Sequence, residues 1–185
     1  MPGNDTSNFS GPHGLIVWFT GLSGVGKTTI SCLVKKSLED DGFRVLVLDG
    51  DDVRERLHRN LGFTKADIIE NNHLISELCL DERSAQNIIM VPIISPYRES
   101  RAAARERLSP GFFEVHVSAD IPVLEQRDTK GLYARAKNRE IDNLIGYSPG
   151  APYEPPLNAE ITLETGRDTT DACAQNLYEA IIEKL

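Results

Sequence analysis

The hydrophobic positions fall in short runs separated by polar turns. Leu15–Thr20 is an apolar run that ends in a glycine-rich turn, the pattern of a buried strand entering a loop. After Lys27 the apolar positions Ile30, Leu33, Val34 and Leu38 recur at helical spacing until Asp40-Asp41-Gly42 stops them. A second buried strand is expected over 45–48, ending at Asp49-Gly50-Asp51, with a short helix over 53–60. Thr64 is the expected N-cap of a longer helix carrying Leu74, Ile75, Leu78 and Ala85. A third strand is predicted over 88–94, a helix over 100–108, a fourth strand over 114–117 and a short helix over 123–127. Residues 161–163 read as a last strand, and 169–185, with Ala172, Leu177, Ala180 and Ile181, as a closing amphipathic helix. Strands alternating with helices predict an α/β fold: a mostly parallel sheet between two helical layers, with ligand sites at the carboxyl ends of the strands. Residues 128–158 break the rhythm. They are rich in proline, glycine and charge, too irregular for core and too long for a connection, which predicts a functional lid.

Composition narrows the class. The chain has 185 residues, 40% hydrophobic and 26% charged, enough for one domain with a sizeable core. Its formal net charge of −8 argues against nucleic acid as the main partner, leaving room for a local basic pocket that takes one small anion. No apolar stretch approaches the ~20 residues of a membrane span. Residues 1–12 are polar and lack the basic start and apolar run of a signal peptide, so the expectation is a disordered leader, one domain over 13–185 and a cytoplasmic location. Cys32, Cys79 and Cys173 are far apart and form no CxxC pair, so buried apolar thiols are expected rather than zinc or disulfide chemistry.

Three motifs fall at predicted strand ends. The first, Gly21-Leu22-Ser23-Gly24-Val25-Gly26-Lys27-Thr28, fits G-x-x-x-x-G-K-[ST]. Its glycines let backbone N–H groups turn around phosphates, the next helix adds its positive end, Lys27 reaches the β- and γ-phosphates of ATP, and the Thr28 hydroxyl ligates Mg²⁺. With its flanking strand and helix this is a P-loop, the phosphate-binding loop of the P-loop NTPase three-layer α/β/α sandwich. In the second motif Asp49 and Asp51 flank Gly50, so that one carboxylate can hold magnesium water and the other can accept a proton from an acceptor hydroxyl. Arg54 lies close enough to grip an acceptor anion, whereas Arg56 and Arg59 read as surface charge. The third motif, after strand three, offers Tyr97, Arg98 and Arg101 to a cleft, each arginine equally open to a surface ion pair. His58, His73 and His116 have no metal-ligand spacing, and Trp18 reads as core. A guanine-specific switch would need an Asn-Lys-x-Asp reader, which the sequence lacks.

Several runs together resemble the adenylylsulfate kinases: the loop from Phe19 to Thr29, Leu48-Asp49-Gly50-Asp51, Leu61-Gly62-Phe63, Glu70-Asn71, Ile94-Ser95-Pro96-Tyr97-Arg98, Glu125-Gln126-Arg127-Asp128 and Lys130-Gly131-Leu132-Tyr133. The resemblance implies a P-loop nucleotide-kinase fold that transfers phosphate from Mg²⁺-ATP to the ribose 3′-hydroxyl of adenosine 5′-phosphosulfate. It implies an ATP site of Gly21, Leu22, Ser23, Gly24, Val25, Gly26, Lys27, Thr28, Thr29 and Arg127, and a metal site of Thr28 and Asp49. Asp51 would be the base or orienter, acting with Lys27, and Ser95 is a candidate phosphoryl carrier. Arg54, Asn71, Phe63, Ile94, Ser95, Asp51, Lys130 and Leu132 would hold the acceptor, and the chain would form a homodimer. The departures cluster on the acceptor side. Where the family reads Asp-Arg-x-Glu-Asn-x-Arg-Arg, this chain has Ile68, His73 and Leu74 in place of arginines, and Leu144 replaces an aromatic in the lid. Losing one charge-assisted contact costs ~1.5–3 kcal/mol. The alternative is therefore a related kinase for a different nucleotide-linked or small hydroxyl acceptor, such as cytidine diphosphoramidate.

Overall fold

The computed structural model describes residues 14–50, 53 and 60–185. The leader, Asp51, Arg54 and most of the expected 53–60 helix lie outside the described residues. Five strands, β1 (Leu15–Thr20), β2 (Val45–Val47), β3 (Ile88–Val91), β4 (Phe112–Ser118) and β5 (Ile161–Glu164), form one sheet in the order β2-β3-β1-β4-β5. All four pairings are parallel, with Leu15 opposite Ile88 and Ile16 opposite Phe112. The described helices are α1 (Lys27–Asp40), α2 (Lys65–Glu82), α3 (Arg98–Leu108), α4 (Ile121–Arg127), α5 (Leu132–Lys137) and α6 (Thr170–Lys184).

Period-two alternation sends each strand's side chains into two separate cores. Leu15, Val17 and Phe19 pack with Ile30, Val34 and Leu38 of α1 and Leu177 and Ile181 of α6. Ile16 and Trp18 face the other way, into Ile75 and Cys79 of α2 and Ala104 and Leu108 of α3. The three layers expected from the sequence are thus present, and the carboxyl ends of β1, β2 and β3 come together at one rim.

Several boundaries differ from expectation. β3 stops at Val91 because Pro92 has no N–H to give the ladder, and Ile93 turns back onto the Val91 carbonyl at 3.0 Å. α2 starts at its Thr64 cap, with Asp67 completing a capping box, but ends at Glu82 rather than reaching Ala85. Its C-cap, Arg83, keeps helical backbone angles (φ −58°, ψ −35°) and turns its side chain inward, Nε donating to the Gly14 carbonyl at 3.0 Å. Cys79 and Cys173 are buried, and burial pushes the Cys79 thiol up to about 12, whereas Cys32 is exposed on α1, contrary to expectation.

The 128–158 segment is less irregular than its composition indicates. It contains α5, started by the Asp128 carboxylate, which accepts the Tyr133 and Ala134 N–H groups at 3.0 and 2.9 Å. Tyr133, Leu144 and Ala151 are buried, Tyr133 and Leu144 in the same apolar cluster as Val25 and Leu124. The segment therefore adds to the core instead of lying outside it. Among the described residues no helix is long and apolar enough to cross a membrane.

Candidate active site

The loop between β1 and α1 is wrapped from outside. Its outward carbonyls are taken by side chains: the Ser23 carbonyl by the Tyr133 hydroxyl at 2.9 Å and the Val25 carbonyl by the Thr165 hydroxyl at 2.9 Å. Burial, helped by Asp128 and Glu125, pushes the Tyr133 phenol up to about 12, so it remains a donor. Gly24 and Gly26 sit at φ 79° and 97°, where a side chain is strained, and a Cβ on either would meet nothing within 4 Å. The inner face is therefore an open cradle of the kind that backbone N–H groups present to phosphates.

Lys27 is the first residue of α1 and only 8% exposed. Its ammonium donates back across the loop to the Gly21 and Leu22 carbonyls at 2.9 and 2.8 Å, which holds it over the cradle. Next to it the Thr28 hydroxyl donates to Asp49 Oδ2 at 2.9 Å, joining the start of α1 to the end of β2. A hydroxyl and a carboxylate oxygen side by side at the rim of a phosphate cradle are hard oxygen donors of the kind Mg²⁺ takes alongside phosphate and water. The residues present thus fit Mg²⁺-ATP. Among the described residues no cluster of three His, Cys, Asp or Glu side chains makes a metal cage independent of a ligand. Thr29 is exposed beside this pair, and Arg127, exposed at the end of α4, donates to the Thr165 carbonyl. That places Arg127 beside the far wall of the loop through the Thr165–Val25 bond.

The acceptor-side candidates lie across the rim. The Ile94 carbonyl accepts the Gly21 N–H at 3.2 Å and the Thr20 hydroxyl at 2.9 Å, so the third motif is bonded to the first residue of the loop. Phe63 is 64% exposed and presents its ring to solvent, while Asn71 is buried on the inner face of α2. Lys130 is exposed and Leu132 half-buried against the core. Of the three lost arginine positions, Ile68 is buried, Leu74 half-buried, and His73 is exposed with its Nε2 3.9 Å from Glu77. Leu144, at the lost aromatic, is packed in the core cluster.

Ser95, the candidate phosphoryl carrier, is 2% exposed, and its hydroxyl accepts from Trp18 Nε1 at 3.1 Å and from Asn72 Nδ2 at 2.8 Å. It also holds φ 43°, a left-handed conformation costing a non-glycine residue about 1–2 kcal/mol. Trp18, buried in the core as its strand position predicts, and Asn72, which the sequence did not single out, together hold the Ser95 hydroxyl. Arg101, open to a surface ion pair on sequence grounds, is instead 3% exposed and paired with buried Glu114. Tyr153 and Thr20 were also missed. The Thr20 hydroxyl lies within bonding distance of the Ile94 and Ser95 carbonyls with one proton to share, so the Tyr153 phenol, 2.9 Å away, donates to it.

Comparison with known proteins places this geometry in a family. The family described as adenylylsulphate kinase matches residues 13–164. The adenylyl-sulfate kinase of Halothermothrix orenii is 46% identical over 176 residues, covering 92% of this chain and 91% of the relative. The solved Mycobacterium tuberculosis APS kinase in complex with AMPPNP and APS superposes with a TM-score of 0.84 at 36% identity, covering 92% of this chain and 99% of that one. A hexameric APS kinase from Thiobacillus denitrificans matches with a TM-score of 0.66 at 28% identity, covering 92% of this chain but only 29% of its own. With a P-loop, an adjacent Thr–Asp pair, a structured acceptor turn and these matches, the chain belongs to the adenylylsulfate kinase family.

Proposed function

We propose that this chain is an ATP-dependent kinase that phosphorylates the ribose 3′-hydroxyl of adenosine 5′-phosphosulfate, giving 3′-phosphoadenosine 5′-phosphosulfate and ADP. The observation that carries the donor half is the Thr28–Asp49 pair at 2.9 Å beside the open glycine cradle. Lys27 and the loop amides balance the charge of the β- and γ-phosphates, and Thr28 and Asp49 would hold Mg²⁺, which would supply neutralisation of charge on the phosphate oxygens. Asp51 takes or orients the 3′-hydroxyl proton. The hydroxyl oxygen forms the new P–O bond as the bond to the β–γ bridging oxygen breaks, and ADP leaves. Ser95 shapes the acceptor turn and carries no phosphate.

Adenosine 5′-phosphosulfate is preferred over another acceptor because the curated relatives matched at about this identity are adenylyl-sulfate kinases. Arg54, Phe63, Asn71, Ile94, Lys130 and Leu132 make up the acceptor side of this reading, and Arg127 the ATP side. The assembly is a homodimer, an inference from the family resemblance that light scattering tests, and the location cytoplasmic, an inference from the sequence pattern that fractionation tests.

The deciding measurement is coupled ADP release with Mg²⁺-ATP, with and without adenosine 5′-phosphosulfate, the product identified by mass. Turnover that needs the acceptor and saturates at micromolar concentration is the expected result. A folded, ATP-binding protein that the acceptor does not stimulate would sink the reading.

A further inference from the structure

We propose that Arg101 is a positioning residue for the transfer reaction, its guanidinium locking the acceptor turn at Ser95 to the closing segment at Glu154 and bracing both on the sheet through Glu114. The inference rests on the acceptor reading above. Each nitrogen of Arg101 has a different partner. Nη1 donates to the Ser95 carbonyl at 2.6 Å, Nη2 to the Glu154 carbonyl at 2.6 Å, and Nε lies 2.7 Å from Glu114 Oε1. A guanidinium is planar and stiff, so its two hydrogen bonds hold the Ser95 and Glu154 segments in one relation, while Glu114, whose Oε1 makes no hydrogen bond here, holds the charge against β4 as an ion pair. Glu114 belongs to β4 and is itself held. Its second oxygen is 3.2 Å from Arg105, and its N–H donates to Glu160 at 2.6 Å.

Further bonds fasten the same two segments. Glu154 N–H donates to the Pro96 carbonyl at 2.9 Å, Arg98 N–H to the Glu154 carboxylate at 2.8 Å, and Arg98 Nε to the Pro155 carbonyl at 2.7 Å. Tyr153 adds its bond to Thr20. Residues 153–155 are therefore a fixed end, and lid movement is confined to the chain before them, about 128–152. Arg101 is the buried charge of this junction that bonds both segments, and it sets the distance between the acceptor turn and the lid's anchor.

Arg101→Lys retains charge but cannot span three partners. Because loss of the guanidinium alone leaves Glu114 buried without its closest partner, the paired Arg101→Gln/Glu114→Gln variant restores charge balance. Both are measured by steady-state kinetics with Mg²⁺-ATP and adenosine 5′-phosphosulfate, and by hydrogen exchange on the protein alone. The expected result is a rise of tenfold or more in acceptor KM with ATP KM within twofold. Amide exchange should quicken at least tenfold over 94–98 and 153–156, with α1 unchanged. An acceptor KM within twofold of the parent overturns the proposal, as does an equal rise in both KM values with exchange raised throughout, the signature of a general ion pair. If the parent protein does not turn over adenosine 5′-phosphosulfate, the acceptor reading has failed, and the exchange measurement alone decides the role of Arg101.

Discussion

At the scale of single residues, Lys27 makes the donor site more than a motif match. Its ammonium is already directed over the cradle by two carbonyls, so Lys27→Ala should lower kcat/KM by at least 10³-fold without unfolding the protein, checked by ADP release and circular dichroism. Thr28→Ala should raise the Mg²⁺ concentration needed for half-maximal rate severalfold, measured by metal titration, since it removes one of two paired oxygens. His116 carries a pH signature. Burial lowers its pKa and Arg101 adds to that, while Glu164 and Glu114 pull the other way, and the ring stacks on Tyr153 with centroids 6.3 Å apart. The unfolded chain takes up this proton near pH 6.5 and the folded chain only at lower pH, so stability is full above about 6.5 and falls as the solution is acidified below it. Urea midpoints at pH 7.5 and 5.5 should converge in His116→Phe relative to the parent. The donor residues were legible in the sequence because they are contiguous or sit at strand ends. The Ser95 hydroxyl's partners were not. Trp18 and Asn72 lie far from it in the chain, and an indole in an apolar strand looks like core until its N–H is located.

At the scale of elements, the strands and long helices formed where their patterns put them, and the differences fell at boundaries and short pieces that one residue decides, as Pro92 does for β3. Asp128 starts α5 by accepting two N–H groups, and a six-residue helix is too short to show a period. At the C-cap of α2 the Arg83 side chain turns in to the Gly14 carbonyl, which no hydrophobic pattern records. Thr64 does announce the other end of α2, and Thr64→Ala should cost ~1 kcal/mol, read from chemical denaturation. Gly146 shows how the lid segment meets the loop. It holds φ 75°, and a Cβ there would lie 2.3 Å from Leu22 Cδ2 and 3.2 Å from Tyr153 Cβ. Gly146→Ala should strain the left-handed backbone and push the Leu22 methyl aside, destabilising the protein by ~1 kcal/mol and speeding proteolysis within 128–152, measured by denaturation and by mapping the cuts. The composition of 128–158 concealed this packing, because its apolar anchors Tyr133, Leu144 and Ala151 sit in short pieces too far apart to show a period.

For the whole molecule, alternation of strands and helices was enough to read a parallel α/β sheet, while strand order was not contained in any local pattern. The order β2-β3-β1-β4-β5 puts the first strand in the middle, with Leu15 paired to Ile88 and Ile16 to Phe112. This sets the sequence of synthesis against the sequence of assembly. β1 leaves the ribosome early with six apolar or half-apolar residues, has no neighbour until β3 has emerged past Val91, and keeps one side open until the chain past Ser118 has emerged. During that wait it is an unpaired hydrophobic edge, the kind of surface that nascent-chain chaperones cover. Chains arrested before Phe112 should remain sensitive to protease, and those extended beyond Ser118 should begin to resist it, so that a gene encoding a slower stretch just after β4 would lengthen no hazard, whereas a pause before it would.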